Sequence, residues 1–329
     1  MKVTYKMIAK DMRLSGTFLK YVVRLNSEKN FKRIQYLLEK TIKGKKIKNP
    51  NIISTEEFIT GRDGKNIRLC IYSPKNLDVS SPVTGLLWIH GGGYAVGLPE
   101  IEQPTIEKLM LTSNTVVISP DYRLSIDGPF PAALEDCYDT LLWMKHNAKE
   151  LGILENQLFV GGESAGGGLT CCLSAYARDK GDVNIAYQIP LYPMLDDRMQ
   201  TNSMINNNAP IWNERNNIAA WKLYLGEDYQ TNNVSPYAAP ARLTSFKDLP
   251  PTFTFVGSID PFCDETKTYI ENLKQANIPT TFKIYDGAFH SFDRFAPLSR
   301  QAKEATQFML DNYKMATTTY FKEQDKTEK

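Results

Sequence analysis

The run Gly161-Gly162-Glu163-Ser164-Ala165-Gly166-Gly167-Gly168 limits what this chain can fold into more than any other stretch. It follows the apolar Leu158-Phe159-Val160 and opens onto Leu169-Thr170-Cys171-Cys172-Leu173-Ser174-Ala175-Tyr176, a stretch suited to a buried helix. A strand, a tight glycine-flanked turn and a helix place serine at an apex, in the pattern G-x-S-x-G. Glycine is needed because the serine takes a strained backbone conformation, and side chains two positions either side would strike the neighbouring strand and helix. The new helix also turns its free N–H groups and positive dipole end toward any negative charge beside Ser164. Five residues alone are weak grounds, so partners must be sought elsewhere in the chain.

Along the chain, the first 48 residues carry apolar positions at helical spacing between lysines and arginines, which predicts two helices broken near Asn26-Ser27. From Glu56 the pattern turns β-like. Glu57 to Thr60 and Asn66 to Tyr72 flank the turn sequence Gly61-Arg62-Asp63-Gly64 and predict a hairpin. Strands are predicted at Val83 to Ile89, Thr115 to Ser119, the run before Ser164, Ile185 to Leu191, Thr252 to Val256 and Thr281 to Tyr285. Helices are predicted at Gln103 to Thr112, Ala132 to Lys149, after Ser164, Glu265 to Ala276 and Ser299 to Tyr320, with a frayed tail from Phe321 to Lys329. Leu195 to Tyr229 is rich in Asn and reads as irregular. Alternating strands and helices predict an α/β fold with a parallel sheet wound on both faces. Four segments follow: an N-terminal helical cap over 1–50, a first part of the core over 51–194, a cap insertion over 195–229 and a second part of the core over 230–329. Both cap segments are expected over the carboxyl ends of the strands, where open α/β sheets bind ligands.

Charge narrows the partners. The net charge of +2 gives no reason to expect nucleic acid, yet residues 1–50 hold 14 Lys+Arg against 3 Asp+Glu, a net of +11, and the remainder carries −9. That basic segment reads first as a solvated face packed on the core and second as a lid touching an anionic membrane surface. Five cysteines, Cys70, Cys137, Cys171, Cys172 and Cys263, form no C-x-x-C or Cys/His cluster, so no metal site or disulfide framework is expected. A reducing, cytoplasmic setting is the expectation, because charges interrupt the N-terminus too often for a signal peptide.

A serine hydroxyl needs a base within hydrogen-bond reach to become a nucleophile. Of three histidines, His146 lies among Lys145, Asn147 and Lys149 on a helix, and His90 opens a glycine run. His290, in Gly287-Ala288-Phe289-His290-Ser291-Phe292 just after the last strand, is placed to return to Ser164. An acid must orient that imidazole from a loop after a late strand, and Asp260 in Gly257-Ser258-Ile259-Asp260-Pro261 meets the demand. Asp264 and Glu265 lie close by and suit the first turn of the following helix. His90-Gly91-Gly92-Gly93, after a buried strand, offers N–H groups of Gly91, Gly92 and Gly93, joined by that of Ala165, to hold an oxyanion. Arg123 and Asp136 read as a structural ion pair. Tyr94, Trp212 and Trp221 are candidates to line a substrate pocket.

His90-Gly91-Gly92-Gly93, Asp121-Tyr122-Arg123-Leu124, Pro129 to Asp136, Gly162-Glu163-Ser164-Ala165-Gly166, Asp260-Pro261 and Phe289-His290-Ser291-Phe292 together resemble the hormone-sensitive-lipase-like family of α/β-hydrolase esterases, over about residues 55 to 315. The resemblance implies a mostly parallel, doubly wound sheet of about eight strands with a helical cap. It also implies a Ser164, Asp260, His290 triad, no cofactor, and a carboxylic-ester substrate with a short or medium acyl chain. Homodimers through the last sheet edge and helix are frequent in the family. Two departures stand out: Glu163 replaces the usual Asp, and Ser125-Ile126-Asp127-Gly128-Pro129 replaces Ala-Pro-Glu-His-Pro. Amide or lactone hydrolysis by the same machinery is the alternative reaction, and a non-catalytic small-molecule receptor is the alternative from another class.

Overall fold

The computed structural model describes residues 1–324. Eight strands, β1 (Ile52–Thr60), β2 (Asn66–Pro74), β3 (Val83–Ile89), β4 (Thr115–Asp121), β5 (Ile153–Glu163), β6 (Tyr187–Leu191), β7 (Thr252–Gly257) and β8 (Thr280–Tyr285), form one sheet in the order β1-β2-β4-β3-β5-β6-β7-β8. The β1–β2 hairpin and the β2–β4 pair are antiparallel and all other pairs are parallel. The helices are α1 (Arg13–Val22), α2 (Glu28–Thr41), α3 (Gln103–Thr112), α4 (Ala132–His146), α5 (Ala148–Leu151), α6 (Ala165–Lys180), α7 (Glu214–Leu225), α8 (Cys263–Gln275), α9 (Phe292–Phe295) and α10 (Arg300–Thr319).

Because side chains alternate across a strand, a strand buried on both faces needs a continuous apolar run, and the central strands have one. Leu87 and Ile89 of β3, Ile118 of β4 and Val160 of β5 join Cys137 and Leu141 of α4 and Leu173 of α6 on one face. Leu86, Trp88, Val117 and Phe159, one position out of step, meet Ile106 and Leu109 of α3 and Met309 and Tyr313 of α10 on the other.

Three sequence expectations need correction. The stretch 195–229 contains α7, whose asparagines are tied down: Asn213 caps the N-terminus, the Asn216 side chain donates to the Ile211 carbonyl at 3.0 Å, and Asn217 accepts from the Trp212 indole at 3.0 Å. Asparagine favours non-helical backbone when its amide competes for main-chain partners, and here those amides are engaged elsewhere. β1 starts at Ile52, before the strongly polar Ser54-Thr55-Glu56-Glu57 run, because as an edge strand it leaves one side to solvent. The tail is docked as far as it is described: the Lys322 N–H donates to the Asn156 carbonyl at 2.8 Å, and the Asn184 side chain donates to the Glu323 carbonyl at 2.7 Å. Residues 325–329 of the expected frayed tail lie outside the described residues.

The basic N-terminal segment packs onto loops at the carboxyl ends of the strands. Ala9 donates to the Gly287 carbonyl at 2.9 Å, Gly16 of α1 lies against Phe289, and Gln35 of α2 accepts from the Gly97 N–H at 2.9 Å. Deeper in the fold, buried Asp136 of α4 takes the Arg123 guanidinium at 2.6 Å and the Arg123 N–H at 2.8 Å, holding the loop after β4. Asp136→Ala removes the buried partner of that guanidinium and leaves it only the exposed Asp63, and urea titration should show a loss of about 2 kcal/mol. A loss below about 0.5 kcal/mol, the size of an exposed pair, would contradict this role for Asp136.

Candidate active site

Ser164 stands between the end of β5 and the start of α6 with φ 57° and ψ −114°, a conformation a non-glycine residue keeps only when its surroundings over-determine it. Those surroundings are close. A side chain at Gly166 would put its first carbon 2.1 Å from the Ile89 carbonyl oxygen and one at Gly162 would come within 2.4 Å of the same atom, so both must be glycine. The Ser164 N–H donates to the Leu191 carbonyl at 2.9 Å, and its own carbonyl accepts from Met194 at 3.0 Å.

Loops after β7 and β8 deliver the partners. His290 Nδ1 lies 2.7 Å from Asp260 Oδ2 and His290 Nε2 lies 2.8 Å from Ser164 Oγ. A carboxylate only accepts, so Nδ1 carries the proton and donates to Asp260, which leaves Nε2 free to accept from the Ser164 hydroxyl. The other Asp260 oxygen accepts from the Phe262 N–H at 2.9 Å. All three side chains are buried. Asp264 turns away, accepting from the Ser203 N–H at 2.8 Å and from Lys267 at 3.2 Å, and Glu265 accepts from the Leu195 N–H at 2.7 Å. His146 is exposed on α4, and His90 is buried, stacked on Tyr122 with ring centroids 4.1 Å apart. Burial pushes the His90 imidazole down to about 4, so it is neutral and serves to hold the glycine run through its Nδ1 contact with the Gly91 carbonyl, 2.8 Å.

The glycine run lies beside the elbow because β3 and β5 are neighbours, with Ile89 opposite Gly162. The Gly91 N–H points away, toward Glu102 at 3.5 Å, whereas among the described residues the N–H groups of Gly92 and Gly93 reach no protein acceptor. Ala165 begins α6, so its N–H has no partner within the helix. Of the residues expected to line a pocket, Trp212 borders a cavity of about 270 Å³ with Ser164, His290, Gly91 and Gly92. Tyr94 and Trp221 do not. Tyr94 has φ 61°, which turns its ring away from the cavity onto Tyr224, centroids 3.9 Å apart, and its hydroxyl to the Met194 carbonyl at 3.1 Å. Trp221, on the inner side of α7, packs against Tyr94 at 5.5 Å and is fully buried.

Sequence reasoning missed a charged floor. Arg294 of α9 reaches into the cavity, 3.2 Å from Glu102 and 3.6 Å from Glu163, and Glu163 also accepts from Thr105 at 2.9 Å. Glu163, one atom group longer than the family's usual Asp, therefore remains fully engaged. Glu102 also takes the Trp88 indole N–H at 3.3 Å. Only adjacency to Ser164 marked Glu163 in the sequence, and nothing local marked Glu102 or Arg294. A separate acidic group, Glu56, Cys70 and Glu100, closes on the Arg68 guanidinium, 3.1 Å from Glu56 and 2.8 Å from Glu100, so a cation is already supplied there.

Buried, and with Glu163 beside it, Glu102 is pushed up to about 8, burial being the larger cause. In the unfolded chain it ionises near pH 4 to 5. The folded state therefore holds an extra proton between those values, and the stability that Glu102 contributes is fully present below about pH 4 and is lost as pH rises toward 8. Melting temperatures measured from pH 5 to pH 9 should decline more steeply for the wild type than for Glu102→Gln. Parallel curves would remove Glu102 from this linkage.

A family model of the α/β-hydrolase fold matches residues 86–294. Among curated relatives, esterase LipI of Mycobacterium tuberculosis is 30% identical over 237 residues, covering 72% of this chain and 74% of that protein. The carboxylesterase NlhH of the same species is 29% identical over 255 residues, covering 76% and 79%. Among solved structures, a bacterial heroin esterase superposes with a TM-score of 0.86 at 31% identity, covering 96% of this chain and 99% of that one. Strand order, elbow and these likenesses lead to one assignment: the chain belongs to the hormone-sensitive-lipase-like family of α/β-hydrolase esterases.

Proposed function

We propose that this hydrolase cleaves carboxylic esters through an acyl-enzyme on Ser164, with His290 as base and Asp260 as its orienting acid. The observation that carries this reading is the unbroken contact from Ser164 Oγ to His290 Nε2 to Asp260, 2.8 Å and then 2.7 Å. Ser164 attacks the ester carbonyl carbon while His290 takes the hydroxyl proton, and Asp260 stabilises the imidazolium that forms. The carbonyl oxygen becomes an oxyanion facing the N–H groups of Gly92, Gly93 and Ala165, a role Gly91 does not share because its N–H is directed to Glu102. His290 returns the proton to the leaving alkoxide, and a water activated by the same imidazole releases the acid.

The named activities of the relatives, esterase and carboxylesterase, support the reaction class. A cavity of about 270 Å³ walled by Leu25, Leu38, Ile101, Ile211, Trp212 and Phe295 favours short to medium apolar acyl groups.

Hydrolysis of p-nitrophenyl esters across acyl lengths tests this directly. Activity should peak at short or medium chains. Ser164→Ala should lower kcat by about 10⁶ and Asp260→Asn by about 10⁴, the latter through the wrong imidazole tautomer. Ser164→Ala protein that is folded and retains most of its activity would remove Ser164 from the reaction.

A further inference from the structure

α1 is docked by one side only. Gly16 lies against Phe289, and the opposite face carries Leu14, 84% exposed, Phe18, 66%, Tyr21, 70%, and Val22, 58%. The spacing i, i+4, i+7, i+8 gathers these four side chains into one continuous apolar stripe. Around it the charge is uncompensated: of the 14 Lys+Arg in residues 1–50, only Lys32 and Lys43 make an ion pair among the described residues. On the side of α1 nearer Gly16, Lys20 lines a separate cleft of about 960 Å³ with Lys2, Arg215 and Glu214. Burial, and after it the neighbouring Lys2, pushes the Lys20 ammonium below its ordinary value.

We propose that this face docks on an anionic lipid surface, with Leu14, Phe18, Tyr21 and Val22 entering the acyl boundary and the net charge of +11 over residues 1–50 drawing the segment to acidic headgroups. An apolar stripe on a strongly basic segment is an arrangement that lies in a membrane interface, and no helix among the described residues is long and apolar enough to cross the bilayer itself. A second copy of the chain fits the face less well, because a two-fold contact would bring one segment of net charge +11 against another. The docking face adjoins the catalytic cavity: Leu25, just beyond α1, and Leu38 of α2 are among its walls. On the proposed ester-hydrolase reading, the surface would supply esters that partition into lipid.

Co-sedimentation of the full chain with vesicles of phosphatidylcholine alone, or mixed equally with phosphatidylglycerol, tests the docking without requiring turnover, so it succeeds or fails independently of the catalytic reading. The protein should pellet with the mixed vesicles and be released by about 1 M salt. Phe18→Ser and Leu14→Ser, both at exposed positions, should each weaken partitioning about tenfold, and Lys20→Glu at least about fivefold. Equal recovery with both vesicles, or no binding to either, would overturn the proposal. So would a dimer in solution that Phe18→Ser dissociates, since the stripe would then belong to a second copy.

Discussion

Everything at this site depends on how closely β5 and α6 approach the end of β3. The Ile89 carbonyl oxygen sits where any side chain at Gly162 or Gly166 would have to be, and Ser164 keeps a positive φ only because that contact is held from both sides. The same approach sets the glycine run beside the serine, so one packing constraint delivers both the hydroxyl and the N–H groups that face it. Loops from β7 and β8 then need only converge on a point already defined, and buried contacts at each step leave Asp260 and His290 little freedom to miss it.

Much of this was legible in the sequence where the physics is local. Unbroken apolar runs announced strands buried on both faces, and Val83–Ile89 and Gln103–Thr112 fall where their patterns place them. Asp260 could be told from Asp264 by position alone, since Asp264 falls in the first turn of α8 and faces Ser203. α7 was not legible, because the cost of asparagine in a helix is lifted by partners that only the folded chain supplies. Tyr94 was misplaced because the turn after a glycine run decides which way its next side chain points, and no residue pattern records that φ. The Arg294 contacts to Glu102 and Glu163 join elements distant in sequence, and are visible only once α9 is set beside the elbow.

That charged floor links the stability of the fold to the surroundings of Ser164. Glu102 shares its carboxyl group between Trp88, Gly91 and Arg294, and Glu163 precedes the serine itself, so the proton and charge held here adjoin both the glycine run and the elbow. On the other side of the cavity, the basic N-terminal segment touches the loop before His290 through Ala9 and Gly287 and the loop after the glycine run through Gln35 and Gly97. One segment thus borders both halves of the machinery while presenting an apolar face outward.

The central claim is that Ser164 is the nucleophile activated by His290. Labelling with a fluorophosphonate, which phosphonylates an activated serine, followed by peptide mass spectrometry, tests it most directly. The account predicts a single phosphonyl group, on the peptide containing Ser164, and its loss in folded His290→Ala protein. A label on another residue, or none in folded wild-type protein, would contradict it.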